Sequence, residues 1–206
     1  MAIGYWAIPQ EEPAIGAADP PQIVIAVKPT TFKRWTPVDV AGRIVAKRAG
    51  EHVTLEENIC GRGWNPTFGA RTNPNGEFAV SLGSVFSPQG NGLLRARWGE
   101  HTSNVVRVLV RPVVTLRQRS RRAFETEVAS LEALVGRTVQ LERYEKSKNR
   151  WRIAARARLR EGSYTGTTEA TLRTVLPKRA IIRAILPATQ ARPCHLAGFS
   201  NMLTVG

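Results

Sequence analysis

From Ile23 onward, apolar residues take every second position in short runs: Ile23, Ile25 and Val27, then Val38 and Val40, then Val53 and Leu55. The alternation resumes at Phe78, Val80 and Leu82 after the turn signal Asn73-Pro74-Asn75-Gly76, then at Leu94, Ala96 and Trp98 and at Val106, Val108 and Val110. A period of two lines one face of a strand, and turn residues at about every eight to twelve positions have the spacing of an all-β sandwich. Arg111-Pro112 closes this stretch, because proline cannot continue a central strand.

The second half repeats the plan at Val114 and Leu116, Phe124 and Val128, Val139 and Leu141, Thr171, Leu172 and Val175, Ile181 to Leu186, and Met202 to Val205. Its most regular run is Arg150 to Arg160. Trp151, Ile153, Ala155, Ala157 and Leu159 read as one face and Arg150, Arg152, Arg156, Arg158 and Arg160 as the other. Such a pattern predicts a half-buried strand with Trp151, Ile153 and Leu159 in the core.

Residues in the two halves also match one another, about 86 positions apart at the first match and further apart downstream. Gly50-Glu51-His52-Val53-Thr54-Leu55-Glu56 returns as Gly136-Arg137-Thr138-Val139-Gln140-Leu141-Glu142. Leu93-Leu94-Arg95-Ala96 returns as Ile181-Ile182-Arg183-Ala184, and Ser103-Asn104-Val105-Val106 as Ser200-Asn201-Met202-Leu203. Three matches in one order predict a duplicated module, each copy with its own core. The segment Glu125 to Leu134 can be drawn as a helix with Val128, Leu131 and Leu134 aligned, but its counterpart Asp39 to Arg48 reads as strand and turn, so no helix is expected. Pro187 to His195 is an insertion that lengthens the second module. The resulting expectation is two tandem Ig-like antiparallel β-sandwiches, 23–112 and 113–206, behind an extended leader, 1–22.

Four prolines and an Ala-rich middle make that leader irregular, yet Ile3, Tyr5, Trp6 and Ile8 make its start apolar. These four residues are candidates for packing on the first module or for adding a strand to a neighbouring copy, against the ordinary alternative of a loose tail.

Charge distinguishes the halves. The chain carries a formal net charge of +14. Residues 1–112 hold 12 Lys+Arg against 9 Asp+Glu, whereas residues 113–206 hold 18 against 7. Arg117, Arg119 and Arg121 alternate on one candidate strand, and Arg150, Arg152, Arg156, Arg158 and Arg160 on another. A basic sheet surface built from them would attract an anionic envelope polymer, although a solvated face in an arginine-rich protein gives the same pattern. Nucleic-acid binding lacks an aromatic platform, since Trp151 reads as core.

Cys60 and Cys194 fall one in each module, which excludes the intra-sandwich disulfide of antibody domains. A bridge between modules and two buried free thiols both remain open, the free thiols being the ordinary outcome.

Chemistry is sparse. Aspartate occurs only at Asp19 and Asp39, which argues against a carboxylate-rich calcium site or an Asp-dependent triad. His52, His101 and His195 are isolated, and adjacent Cys194 and His195 would point to opposite faces of a strand. Gly61-Arg62-Gly63 is a turn signal without the strand-to-helix step of a phosphate loop. A glycosidase acid pair could be assembled from Glu56, Glu57 and Glu142, but exposed strand glutamates are the ordinary explanation. No catalytic, cofactor-binding or metal-binding residue is expected. Runs of about 18 or more apolar residues and a secretory signal are also missing from the chain as it stands.

The order Val38-x-Val40-x-Gly42, Gly50-Glu51-x-Val53-x-Leu55, Thr72-Asn73-x-x-Gly76-x-Phe78, Arg95-Ala96-x-Trp98 and Ser103-x-Val105 resembles the bacterial Ig-like or fibronectin-like repeats of secreted and surface proteins of actinobacterial type. The resemblance covers nearly all of residues 23–112. The second module departs from it, with Glu161-Gly162-Ser163-Tyr164 near the place of the Thr-Asn-x-x-Gly-x-Phe turn. It implies an extracellular or cell-surface, non-enzymatic module of structural or adhesive type, partnered by other copies or an anionic envelope polymer. The alternative is a carbohydrate-binding accessory region of a larger secreted enzyme, which needs an exposed aromatic strip that only Tyr144 and Tyr164 could begin.

Overall fold

The computed structural model describes residues 22–83 and 87–206. The apolar start of the leader, with Ile3, Tyr5, Trp6 and Ile8, lies outside the described residues. The first half carries β1 (Ile23–Lys28), β2 (Thr31–Lys33), β3 (Val38–Ile44), β4 (His52–Ile59), β5 (Asn65–Arg71), β6 (Glu77–Leu82), β7 (Gly92–Trp98), β8 (His101–Thr102) and β9 (Val106–Arg111). The second carries β10 (Val113–Ser120), β11 (Ala123–Ala129), β12 (Thr138–Glu145), β13 (Arg150–Arg158), β14 (Arg160–Glu161), β15 (Thr167–Arg173), β16 (Ile181–Leu186), β17 (Gly198–Phe199) and β18 (Leu203–Thr204).

Each half is a sandwich. In the first, a three-stranded sheet ordered β1-β3-β6 faces a six-stranded sheet ordered β2-β9-β7-β4-β5, with β8 on β7. In the second, a four-stranded sheet ordered β10-β11-β15-β14 faces a five-stranded sheet ordered β13-β12-β16-β17, with β18 also on β16. The alternating residues meet between the sheets. One buried apolar cluster runs from Ile23 to Val110, and a second from Val114 to Val205.

The repeated sequence blocks do matching work. Ser103 accepts from the Ala96 N–H at 2.9 Å, and the Asn104 amide grips both backbone groups of Ile25, accepting from its N–H at 2.9 Å and donating to its carbonyl at 3.1 Å. Ser200 and Asn201 do the same to Ala184 and Leu116, at 2.8 Å for the serine and 3.2 and 3.4 Å for the asparagine. Each pair therefore ties the larger sheet to the first strand of the opposing one. Gly50 and Gly136 also share a left-handed backbone, φ +72° and +82°, where a side chain would be strained.

Several expectations need correction. The pair β2–β9 is parallel rather than antiparallel, because the chain crosses from one sheet to the other after β1 without reversing direction. Strand β5 was not expected, since its residues Asn65–Arg71 are almost all exposed and show no alternation. One helical turn, α1 (Ala188–Ala191), forms inside the insertion. The final strand is only Leu203–Thr204, and Val175 lies exposed outside any strand.

The largest correction concerns β13. Leu159 is buried, but Ile153 is 38% exposed and Trp151 is half-buried. The cause is a β-bulge. Leu141 pairs with Ala155 but the next residue, Glu142, pairs with Ile153, so Ala154 is extra and the facing inverts there. Ala155 and Ala157 keep to the core side, while Ile153 and Trp151 stand opposite Glu142 and Tyr144 on the outer face. The same step separates Arg156 and Arg158, opposite Gln140 and Thr138, from Arg152 and Arg150, opposite Arg143 and Glu145. The five arginines thus do not share one face.

Candidate functional site

The insertion after β16 builds the contact between the two sandwiches. Cys194 is disulfide-bonded to Cys60 at the end of β4, with an S–S distance of 2.09 Å and Cα atoms 5.0 Å apart. Buried free thiols are therefore corrected to a bridge. Cys60 has φ +57°, which turns the chain out of β4 toward its partner.

Hydrogen bonds surround the bridge. The Asn91 backbone N–H donates to the Cys194 carbonyl at 2.7 Å, its amide donates to the Pro193 carbonyl at 3.2 Å, and its side-chain oxygen accepts from the Val110 N–H at 2.8 Å. Leu196 N–H donates to the Val110 carbonyl at 2.9 Å, and Arg111 donates to the Ala197 carbonyl at 2.8 Å. Arg62 and Glu132 add an exposed ion pair. Close approach needs two glycines. A Cβ on Gly90 would stand 3.1 Å from both the Cys194 carbonyl and the Cys60 sulfur, and one on Gly198 would stand 2.7 Å from Val114 and 2.8 Å from Pro112.

His195 lies inside this junction, 1% exposed. Its Nε2 accepts from the Leu131 N–H at 3.2 Å, so Nδ1 carries the proton of the neutral ring. Among the described residues Nδ1 has no hydrogen-bond partner, and the Val110 backbone only partly opposes the shift of the ring. Burial, aided by the positive charge of Arg34, pushes the imidazole down to about 4, and the ring is neutral at physiological pH. Cys194 is locked in the disulfide, so adjacent Cys194 and His195 form no thiolate–imidazole pair.

The candidate arginines separate into three settings. Arg117 and Arg119 on β10 line a recess together with Glu125, Glu127 and Glu169, and Arg119 is ion-paired to Glu125 at 2.6 Å. Arg160 stands opposite Glu169, and Arg121 is in the turn after β10. On β13, Arg150 and Arg152 converge on Glu145 at 3.1 and 3.5 Å, and the Arg150 hydrogen bond foremost holds that carboxyl below the usual range. Arg156 and Arg158 have no ion-pair partner among the described residues. What reads in sequence as one basic surface is thus a mixed-charge face on one sheet and a basic strand edge on the other.

A feature that sequence reasoning missed recurs in both modules. Glu56 accepts from Arg95 at 2.7 Å and Arg97 at 2.8 Å, and Arg95 lies over the Trp64 ring at 4.1 Å. Glu142 accepts from Arg183 at 2.8 Å, and Arg183 lies over the Trp151 ring at 4.0 Å. Burial alone would raise the Glu56 carboxyl, but the two guanidiniums outweigh it and hold it below the usual glutamate range. The glutamates and arginines are in the repeated blocks. The tryptophans are not, so only the fold reveals the trio. These glutamates are taken up by arginine, and among the described residues no three His, Cys, Asp or Glu side chains gather as metal ligands. Tyr144 packs on Trp151 at 5.2 Å, whereas Tyr164 lines the recess beside Arg117 on the other sheet.

No protein-family model matches the chain, and no curated protein sequence matches it. Among solved structures it is similar to the crystal structure of a tetra-tandem repeat in the extending region of a large adhesion protein, at a TM-score of 0.38 and 10% identity, over 89% of this chain and 49% of that one. This chain spans about half the length of that structure. No helix among the described residues is long and apolar enough to cross a membrane.

Proposed function

We propose that the chain is a non-enzymatic structural module that acts outside the cell or on its surface, with sandwich units 23–112 and 113–206, and that it joins other copies through its N-terminal segment. The observation that carries this reading is the disulfide between Cys60 and Cys194, which ties the two sandwiches together across 134 residues of sequence. Disulfides persist in oxidising compartments and are rare in reducing ones. The residues that set the second module apart in length form a bracket to the first, as suits a part that holds two units in a set relation. Alkylation of the full chain taken from its own cells without reductant, read by mass, tests this. Both cysteines should resist alkylation until reduced, and the chain should be accessible to protease added to intact cells. Two free thiols, or protection from the protease, would overturn the reading.

A second role, binding an anionic envelope polymer, is supported by Arg117, Arg121, Arg156, Arg158 and Arg160, which have no ion-pair partner among the described residues. Such binding would weaken steeply with ionic strength, whereas aromatic stacking on sugar would not. Salt-independent polymer binding would favour the carbohydrate-binding alternative. Tyr144 on β12 and Tyr164 in the turn between β14 and β15 do not form the strip that alternative needs.

A further inference from the structure

Strand β13 is an open edge whose outer row changes character at the bulge. Among the described residues it pairs only with β12, and its other side borders a groove of about 730 Å³ that runs from Arg150 to Arg156. Along the chain, the outward residues are Trp151 and Ile153 before Ala154, then Arg156 and Arg158 after it. The row is apolar first and basic second. Among the described residues neither Arg156 nor Arg158 has an ion-pair partner: Glu145 engages Arg150 and Arg152, and Arg158 borders a recess with Glu125 and Glu169 without bonding to either. The Ala154 carbonyl, at the bulge, accepts from the hydroxyl of Thr174, just after β15, at 3.5 Å.

An unpaired edge invites an added strand. Pairing β13 with its own copy would set arginine against arginine, which is unfavourable for directly opposed like charges. A segment with an acidic end suits it better, and residues 1–21 of this chain supply one. Residues 1–21 hold Glu11, Glu12 and Asp19 and no lysine, arginine or histidine. Ahead of the acids come Ile3, Tyr5, Trp6 and Ile8, so the leader runs apolar first and acidic second. Tyr5 to Glu12 and Trp151 to Arg158 are equal in length.

Resting on the self-association reading above, we propose that residues 3–12 of one copy add to β13 of another as a parallel strand. Only the parallel direction sets the apolar half beside Trp151 and Ile153 and the acidic end beside Arg156 and Arg158, where the pleat turns one of Glu11 and Glu12 to the arginine face and the other to the opposite one. Pro9, which has no N–H for a ladder, then falls near the bulge, where the strand is already irregular. Donor and acceptor lie on different modules, so the contact does not close on itself and propagates head to tail.

Sedimentation of the full chain over a range of concentrations tests this with paired charge reversals. The unaltered chain should associate. Arg156→Glu with Arg158→Glu should weaken association at least about tenfold, as should Glu11→Arg with Glu12→Arg, and the four changes together should restore most of it. Glu11→Gln with Glu12→Gln, which leaves both sandwiches untouched, should weaken association in the same direction. Association that ignores the β13 reversals, or that the combined variant does not restore, overturns docking on β13 and leaves self-association standing. A full chain that stays monomeric at every concentration overturns both.

Discussion

The guanidinium of Arg183 lies 4.0 Å from the centre of the Trp151 ring, on the outer face of a sheet rather than in the core. The relation repeats in the first module, where Arg95 lies 4.1 Å from Trp64. Both depend on a bulge at one repeat position: Leu55 pairs with Phe68 and Glu56 with Pro66, just as Leu141 pairs with Ala155 and Glu142 with Ile153. One extra residue in each partner strand brings the tryptophan to the side of the glutamate and arginine.

Trp151→Ala should therefore destabilise less than a core truncation. A buried tryptophan costs about 3–5 kcal/mol on removal, whereas a half-exposed ring on a cation contributes nearer 1–2 kcal/mol. Urea unfolding of Trp151→Ala beside Leu159→Ala, the latter fully buried, distinguishes these, and the tryptophan change should be the milder of the two.

Replacing Cys60 and Cys194 by serine should lower stability by about 2–5 kcal/mol, because the bridge restricts the unfolded chain over a long loop. Equilibrium denaturation should show that loss, and added reductant should shift the unaltered protein by a similar amount while leaving the variant unmoved.

Acid should weaken the junction before it protonates the paired glutamates. The folded His195 ring titrates at about 4 and an unfolded histidine near 6.5, so between those values the unfolded chain binds more protons. Stability is fully present above pH ~6.5 and is lost as pH falls toward ~4, by about 3 kcal/mol at most from this group. His195→Gln should flatten the melting temperature across that window, and an unchanged pH dependence would remove His195 from the account.

Asn104→Ala should cost about 1–3 kcal/mol, since it leaves both backbone groups of Ile25 without their partner. Asn201→Ala should cost less, because its bonds to Leu116 are longer, at 3.2 and 3.4 Å. Thermal melts of the two variants give the comparison.

Residue pattern alone determined most of the side chains that fill the two cores, because alternation is a local consequence of the pleat: Ile23, Val53, Phe78, Phe124 and Leu141 are all buried where the period of two puts them. It also revealed the duplication, and with it the Ser-Asn pairs, Gly50 and Gly136, and the glutamate and arginine of each outer-face trio. Two things lay beyond it. A bulge arises from pairing between strands, so nothing in the run Arg150 to Arg158 announces that Ala154 inverts its facing, and Trp151 and Ile153 read as core until β12 is beside them. The junction is likewise a matter of distance. Cys60, Asn91, Val110, Leu131 and His195 are scattered along the chain, and only the packing of one sandwich against the other brings them together, where burial excludes water and lowers the affinity of His195 for a proton.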